Sequence, residues 1–362
     1  MSTDNKTIWI ISGESSGDLY GARLAEHLFS LDKSLSIKGM GGECMKTAGV
    51  EILVDSTELG IVGFVEVFKH IFMFLGIFKS LVERAEKERP DAVLLIDYPG
   101  FNVRLAKKLH KQGIKVIYYI TPQVWAWGKK RIPIIAENVD KMLVIFPFEK
   151  EIYAETGLDT EFIGHPLMEI LEEKKDLQIK RDDNLILLLP GSRHSEIDRL
   201  LIPIINTSKI LYKENNNLHF VLQTPRKSIK QYIEEKLKTM NMDSIPLEIV
   251  VEKNEYWMQK ASAGLAASGT VTVQCAILGL PLVVVYRLNP LSYFLSRLLV
   301  KIKFFTMVNL VTEREVFEEF LQGRVKPKLL AEATKKILPE GDRREEVLKG
   351  IKEMCEKLGH DR

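Results

Sequence analysis

The sequence predicts an α/β protein made of two doubly wound, Rossmann-like domains, and three observations carry that prediction. Its 362 residues suffice for two domains of roughly 150 residues each. Short apolar runs alternate with longer amphipathic segments along almost the whole chain. The short runs are apolar at successive positions, as strands must be when helices cover both faces of a parallel sheet.

In the first half the expected strands are Thr7–Ile11, Ile52–Val54, Ala92–Ile96, Val116–Ile120 and Met142–Ile145. Helical patterns at Gly17–Ser30, Glu66–Arg89 and Phe101–Gln112 lie among them, so residues 1–168 read as the first domain. A charged stretch, Glu169–Asn184, breaks the rhythm and reads as a linker. The alternation restarts with Leu185–Leu189, Phe220–Leu222, Leu247–Val251, Gly264–Ala267 and Leu282–Tyr286, giving a second domain over 185–340. After Pro339-Glu340-Gly341 a charged helix, Asp342–Leu358, occupies the final segment, 341–362. Two such domains would face a cleft, with ligands beyond the carboxyl ends of the strands.

Composition excludes several classes. Lys+Arg total 51 against 49 Asp+Glu, a net charge of +2, which leaves no broad basic footprint for nucleic acid. Cys44, Cys275 and Cys355 are too scattered for a disulfide framework or a zinc site, which points to a reducing compartment. The amino terminus lacks the pattern of a secretory leader. The longest apolar stretch, Ile61–Phe78, is interrupted by Glu66, Lys69 and His70, short of the ~20 apolar residues of a spanning helix. A cytoplasmic protein is the expectation.

Chemistry is then sought in the loops after the strands. Ser12-Gly13-Glu14-Ser15-Ser16-Gly17-Asp18 is a small polar turn into a helix, and it lacks the third glycine of a dinucleotide fingerprint. The run Ala92–Ile96 delivers Asp97 to the mouth of the sheet, before Tyr98-Pro99-Gly100-Phe101-Asn102. Asp97 fits a general base, which works at about 3 Å from its hydroxyl, and it equally fits an N-cap for the next helix. The loop Thr121-Pro122-Gln123-Val124-Trp125-Ala126-Trp127 precedes Lys129, Lys130 and Arg131; it fits binding of a sugar, a phosphate or, with less support, a single-stranded nucleic acid, and it fits better a packed loop beside a solvated basic helix start. In the second half, Gly191-Ser192-Arg193 and Ser268-Gly269-Thr270 each follow a strand and open a helix, where free N–H groups favour an anion. Two such turns, one with an arginine, suggest a nucleotide diphosphate. Nothing in the residues calls for a metal or a cofactor.

Two stretches carry more apolar residues than an ordinary helix needs. Glu66–Val82 repeats Val67, Phe68, Ile71, Phe72, Phe74, Leu75, Phe78 and Leu81 at helical spacing beside Lys69, His70 and Lys79. Leu291–Phe305 mixes Phe294, Leu298, Leu299 and Phe304 with Arg297, Lys301 and Lys303. Basic amphipathic helices of this kind lie in membrane surfaces or receive acyl chains, and burial against the sheet is the competing explanation.

Taken together and in order, these motifs resemble the bacterial lipid-A-disaccharide synthases, glycosyltransferases of the two-domain B (GT-B) architecture. The resemblance rests on the Gly13–Asp18, Asp97–Asn102, Pro122–Trp127, Leu189–Arg193 and Ser268–Thr270 stretches. To these are added Met40-Gly41-Gly42, Pro147-Phe148-Glu149, Gly164-His165-Pro166-Leu167, Asn309-Leu310 and Arg314-Glu315-Val316. It implies inverting transfer of 2,3-diacylglucosamine from UDP to the 6-hydroxyl of 2,3-diacylglucosamine 1-phosphate, giving a β-1,6 disaccharide in lipid A biosynthesis. It implies Asp97 as the base with Glu14 as its rival. Gly191, Ser192, Arg193, Ser268, Gly269, Thr270, Gln274 and Asn309 would stand around the donor. Gln274 stands where the family usually has a glutamate, and its neutral carbonyl accepts a weaker hydrogen bond than a carboxylate does. Phe68, Phe72, Leu75 and Phe78 would form an acceptor groove or a docking face on the cytoplasmic side of the inner membrane. A homodimer is a further hint of the resemblance. Another UDP-sugar transferase or epimerase of this architecture would explain the second-domain turns equally well, and the Asp97 motif less well. A non-catalytic nucleotide-sugar or lipid-binding protein is the alternative outside enzymes.

Overall fold

A computed structural model describes residues 6–56, 67–122, 124, 128–238, 245–289, 293 and 303–359, with only the backbone given for 67–71 and 129. The chain forms two compact units, Met1–Gly164 and His165–Arg362. Each is a parallel sheet flanked by helices, so the α/β class expected from the sequence is the observed one.

In the first unit the strands are β1 (Thr7–Ser12), β2 (Ser36–Gly41), β3 (Glu51–Asp55), β4 (Ala92–Ile96), β5 (Val116–Tyr119), β6 (Lys141–Val144) and β7 (Thr160–Phe162). Their order across the sheet is β3-β2-β1-β4-β5-β6-β7, with every pairing parallel. The helices are α1 (Ser15–Leu31), α2 (Glu43–Thr47), α3 (Val67–Glu88), α4 (Pro99–Lys111), α5 (Ile132–Ala136) and α6 (Glu149–Tyr153). Burial of both strand faces explains the unbroken apolar runs: Trp9 and Ile11 share one core with Leu81, Leu105 and Tyr118, while Ile10, on the opposite face, is also fully buried. Helix α1 ends at Asp32, whose carboxylate accepts from the Ser34 N–H at 2.9 Å and so favours a turn over a further helical residue.

The second unit begins with α7 (Pro166–Glu173), whose proline takes the first helical position while the His165 ring nitrogen Nδ1 accepts from the Leu167 N–H at 3.1 Å. Burial holds the His165 pKa down at about 4, so the ring is neutral and can act as this cap. Strands β8 (Asp182–Leu189), β9 (His219–Gln223), β10 (Leu247–Val250), β11 (Ala261–Ala267), β12 (Leu282–Tyr286) and β13 (Glu318–Leu321) pair in the order β10-β9-β8-β11-β12-β13, all parallel. Helices α8 (His194–Glu214), α9 (Lys227–Leu237), α10 (Asn254–Lys260), α11 (Thr270–Ile277), α12 (Met307–Thr312), α13 (Pro327–Ile337) and α14 (Arg344–Leu358) complete it. The stretch expected to be a linker, 169–184, starts inside α7 and ends inside β8. Its charge hides Ile170 and Leu171, which are buried, because a short amphipathic helix needs only one apolar face.

Buried carboxylates join loops that sequence spacing does not connect. Asp18 of α1 is 6% exposed and accepts from the Gly42 N–H at 2.7 Å, Cys44 at 3.0 Å and Met45 at 3.1 Å, capping α2. The Gly13–Asp18 and Met40–Gly42 motifs are thereby one structure. Asp18→Ala should cost the unit about 1.5–3 kcal/mol, the range for hydrogen bonds to charged groups. An unchanged thermal unfolding midpoint would show that the three N–H groups find other acceptors.

Candidate active site

Strand order decides where the polar turns meet. In the first sheet the order reverses between β1 and β4, with Ser12 opposite Ile96 in their parallel register. The residues after them therefore emerge side by side at the carboxyl ends: Gly13-Glu14 from one, Asp97-Tyr98 from the other. The same holds in the second sheet, where β8 and β11 are neighbours and Leu189 lies opposite Ala266. Gly191–Arg193 and Ser268–Thr270 are thus brought together, at the switch point where ligands of such sheets bind.

The first of these places is unusually constrained. Asp97 (φ 45°) and Tyr98 (φ 48°) both occupy left-handed backbone conformations, which non-glycine residues adopt at a cost of order 1–3 kcal/mol each. Side chains hold this turn in place. The Asp97 carbonyl oxygen accepts from the Tyr118 hydroxyl at 2.7 Å and from the Asn102 amide Nδ2 at 2.9 Å. Asn102 also donates to the Ile96 carbonyl at 3.1 Å and is fully buried. The final residue of the Asp97–Asn102 motif therefore holds its first. Across the turn, a Cβ on Gly13 would come within 2.3 Å of the Tyr98 ring, so only glycine lets the two loops close up.

Electrostatics follow from that geometry. Burial, and then the Glu14 carboxylate, push the Asp97 pKa up to about 6, partly offset by the Tyr98 N–H. Asp97 in turn helps burial raise the Tyr20 hydroxyl to about 12, and Glu14 helps burial raise that of Tyr98. Glu14 itself is exposed. A carboxylate poised near neutrality beside a second acid is a candidate proton acceptor.

In the second unit the two turns are not equivalent. At Gly191–Arg193 the N–H groups of Ser192 and Arg193 point at Glu196 Oε2, at 2.9 and 3.4 Å. Gly191 has φ +118°, and a Cβ there would lie 2.5 Å from Glu196 Oε2, so glycine makes room for that carboxylate. The expected backbone cradle is therefore already filled from within. The Arg193 guanidinium is 77% exposed, with Nη1 3.7 Å from Glu196, and it is the group this turn offers to an anion. At Ser268–Thr270, the Ser268 N–H donates to the Val285 carbonyl at 3.1 Å and its hydroxyl to the Phe305 carbonyl at 3.2 Å. Gly269 and Thr270 are exposed, and their N–H groups begin α11 with no partner inside the helix. Gln274 lies one turn along α11, partly exposed.

Asn309 differs from expectation. It is completely buried: Nδ2 donates to the Phe317 carbonyl at 2.7 Å and Glu319 Oε1 at 2.9 Å, while Oδ1 accepts from the Val316 and Phe317 N–H groups at 2.9 and 2.8 Å. An amide has two donors and two acceptor positions, so this one has nothing left for a donor sugar or nucleotide. Phe78 is a second correction. Its ring packs edge-on against Phe101 at 5.5 Å, partly buried against the core, because it lies on the side of α3 that faces α4. Phe72 and Leu75 are 81% and 57% exposed. The side chain of Phe68, the Trp125 and Trp127 loop residues, and most of the Leu291–Phe305 stretch lie outside the described residues.

Asn102, Glu196 and Glu319 are supports that the sequence does not lead one to expect; only the position of Asn102 at the end of its motif hints at its part. Equally unexpected is Glu149, 1% exposed, which accepts from the Thr121 hydroxyl at 2.7 Å and the Phe146 N–H at 3.2 Å, tying the Thr121-Pro122 and Pro147–Glu149 motifs together. Among the described residues no three His, Cys, Asp or Glu side chains are grouped so as to hold a metal ion.

Solved structures share this fold. The UDP-GlcNAc 2-epimerase from Neisseria meningitidis, in a complex with UDP-GlcNAc, aligns with a TM-score of 0.67 at 12% identity, covering 98% of this chain and 96% of its own. The glycotransferase of kitacinnamycin aligns at 0.66 and 15% identity, covering 98% and 95%. The fold class is accordingly the GT-B architecture of nucleotide-sugar transferases and epimerases.

Sequence narrows this further. The lipid-A-disaccharide synthetase family pattern matches residues 8–361. The lipid-A-disaccharide synthase of Syntrophus aciditrophicus is 34% identical over 363 residues, covering 98% of this chain and 94% of its own. That of Koribacter versatilis is 36% identical over 359 residues, covering 97% and 93%. The chain belongs to the lipid-A-disaccharide synthase family and is a glycosyltransferase of lipid A biosynthesis.

A buried carboxyl whose pKa rises to about 6 on folding makes two linked predictions. The unfolded chain, with its Asp near 3.9, binds fewer protons between the two values, so this group's contribution to stability falls as pH rises through that window. Asp97→Asn should therefore stabilise the protein at pH 8 and lose that advantage as the pH is lowered towards 4. Unfolding curves with a pH-independent difference would place the carboxyl in a water-like setting instead. In activity, kcat/KM should rise through about pH 6 as Asp97 ionises.

Proposed function

We propose that the enzyme carries 2,3-diacylglucosamine from UDP to the 6-hydroxyl of 2,3-diacylglucosamine 1-phosphate by a single inverting displacement. The observation that carries this reading is the clamped Asp97 turn, where a carboxylate with its pKa raised to about 6 is held beside the Glu14 loop. At neutral pH Asp97 is ionised and basic enough to take the acceptor hydroxyl proton. The freed oxygen attacks the anomeric carbon, the bond from that carbon to the UDP oxygen breaks, and its electron pair leaves with the diphosphate. Arg193 and the N–H groups of Gly269 and Thr270 are the donors suited to that growing negative charge. Inversion in one displacement needs no covalent nucleophile, which agrees with a base in the first unit and anion donors in the second.

Both substrates on this reading carry acyl chains. Phe72 and Leu75, exposed on α3 with Lys79 a turn further on, would meet the acyl chains or the inner-membrane surface, with the enzyme peripheral on its cytoplasmic side. No helix among the described residues is long and apolar enough to cross a membrane.

The decisive experiment supplies UDP-2,3-diacylglucosamine and the acylated monosaccharide phosphate and looks for the β-1,6 disaccharide. Wild type should form it. Asp97→Asn should retain UDP affinity and lose turnover by about 10²–10⁴, the usual worth of a general base. An Asp97→Asn variant with full turnover would move the base to Glu14. Replacing Phe72 and Leu75 with serine should weaken vesicle binding while leaving the unfolding midpoint in place, since neither is core. Vesicle binding equal to wild type would remove α3 from the membrane face.

A further inference from the structure

A family motif of the second unit, Asn309-Leu310, has no free side-chain amide, yet it surrounds an uncommon object: a buried carboxylate with no cation beside it among the described residues. Glu319 of β13 is 8% exposed, and among the described residues no lysine, arginine or histidine pairs with it. It collects hydrogen bonds from one short segment. Oε2 and Oε1 accept from the Phe305 N–H at 2.9 and 3.0 Å, and Oε1 also accepts from the Thr306 N–H and hydroxyl at 2.8 Å each and from Asn309 Nδ2 at 2.9 Å. The Thr306 hydroxyl in turn accepts from the Asn309 N–H at 3.3 Å, capping α12. Asn309 closes the circuit by binding the backbone of Val316 and Phe317, the residues leading into β13.

Burying an unpaired carboxylate is costly unless its oxygens are saturated, so such a group persists where it fixes something. What it fixes is Phe305. The carbonyl of that residue accepts the Ser268 hydroxyl at 3.2 Å, and Ser268 opens the turn formed with the exposed residues Gly269 and Thr270. In the sheet, Glu319 lies opposite Val284, and the Ser268 N–H is bound by Val285 one residue further along the same strand. The chain of contacts from Glu319 to the Ser268–Thr270 turn is therefore two links long: Glu319 to the Phe305 N–H, and the Phe305 carbonyl to the Ser268 hydroxyl.

We infer that Glu319 is a positioning residue for the donor site: through Phe305 it sets the place of the Ser268–Thr270 turn and so the grip on the UDP diphosphate. Asn309 serves the same purpose by orienting Glu319 rather than by touching the nucleotide. Preorganised donors of this kind depend on a supporting layer that cannot relax. The inference rests on the donor reading given above.

The test compares wild type, Glu319→Ala, Glu319→Gln and Arg193→Ala by UDP titration calorimetry and by separate KM values for donor and acceptor. Glu319→Ala should weaken UDP binding by about tenfold or more, as expected when several bonds to a charged acceptor are lost. The donor KM should rise with it while the acceptor KM stays within about twofold, a split that general destabilisation would not give. Glu319→Gln keeps an acceptor oxygen and should recover much of the loss. If Glu319→Ala does not fold, Thr306→Val, which removes one donor and the cap, should shift UDP affinity in the same direction. Wild type that binds UDP and loses affinity on Arg193→Ala, with Glu319→Ala and Thr306→Val unaltered, overturns this inference alone. Wild type that does not bind UDP, or an Arg193→Ala variant that binds it unchanged, overturns the donor reading and this inference with it.

Discussion

Parallel pairing of strands distant in sequence is the constraint on which this molecule depends. Register places Ser12 beside Ile96 in one unit and Leu189 beside Ala266 in the other. A parallel pair aligns its carboxyl ends, so whatever follows those strands is carried to a common edge. Because strand order reverses at these two pairs, the helices that follow diverge and leave the edge open. Glu14 and Asp97 become neighbours in this way, as do Arg193 and the Ser268 turn. Slippage of either register by one residue would exchange the side chains packed on the two faces and break their fit to the covering helices, so close packing of the core protects the placement of the polar ends.

A second theme is the use of buried carboxylates as anchors for backbone N–H groups. Asp18 holds the Gly42–Met45 turn, Glu149 holds Phe146 and Thr121, and Glu319 gathers Phe305, Thr306 and Asn309. Each satisfies donors that the surrounding loop would otherwise leave unpaired, at the desolvation cost of an acid. Asp97 is the contrasting case. Its carboxylate receives one backbone N–H while burial and Glu14 oppose its charge, and its pKa rises to about 6. An acid saturated with hydrogen bonds serves as structure; an acid left short of them is available for chemistry.

The helix α3 shows how one amphipathic pattern divides between core and solvent. Leu81 is core, Phe78 packs against Phe101, and Phe72 and Leu75 stand in solvent on the same helix. Apolar spacing alone gives no means of separating them, since a stripe that faces a sheet and one left in solvent share the period of 3.6 residues.

Alternating apolar runs and amphipathic segments determined the α/β class, most strand positions and the loops that bear polar residues, because those features follow from local periodicity and from burial on both strand faces. The motifs in order pointed to the family. Tertiary structure alone decided which polar groups are spent and which are free. It consumed the amide of Asn309 and set Glu319 as an anchor for Phe305, since hydrogen bonds that reach across a loop leave no trace in spacing. It also raised Asp97 out of the ordinary carboxylate range, for desolvation is a property of the surroundings and not of the residue.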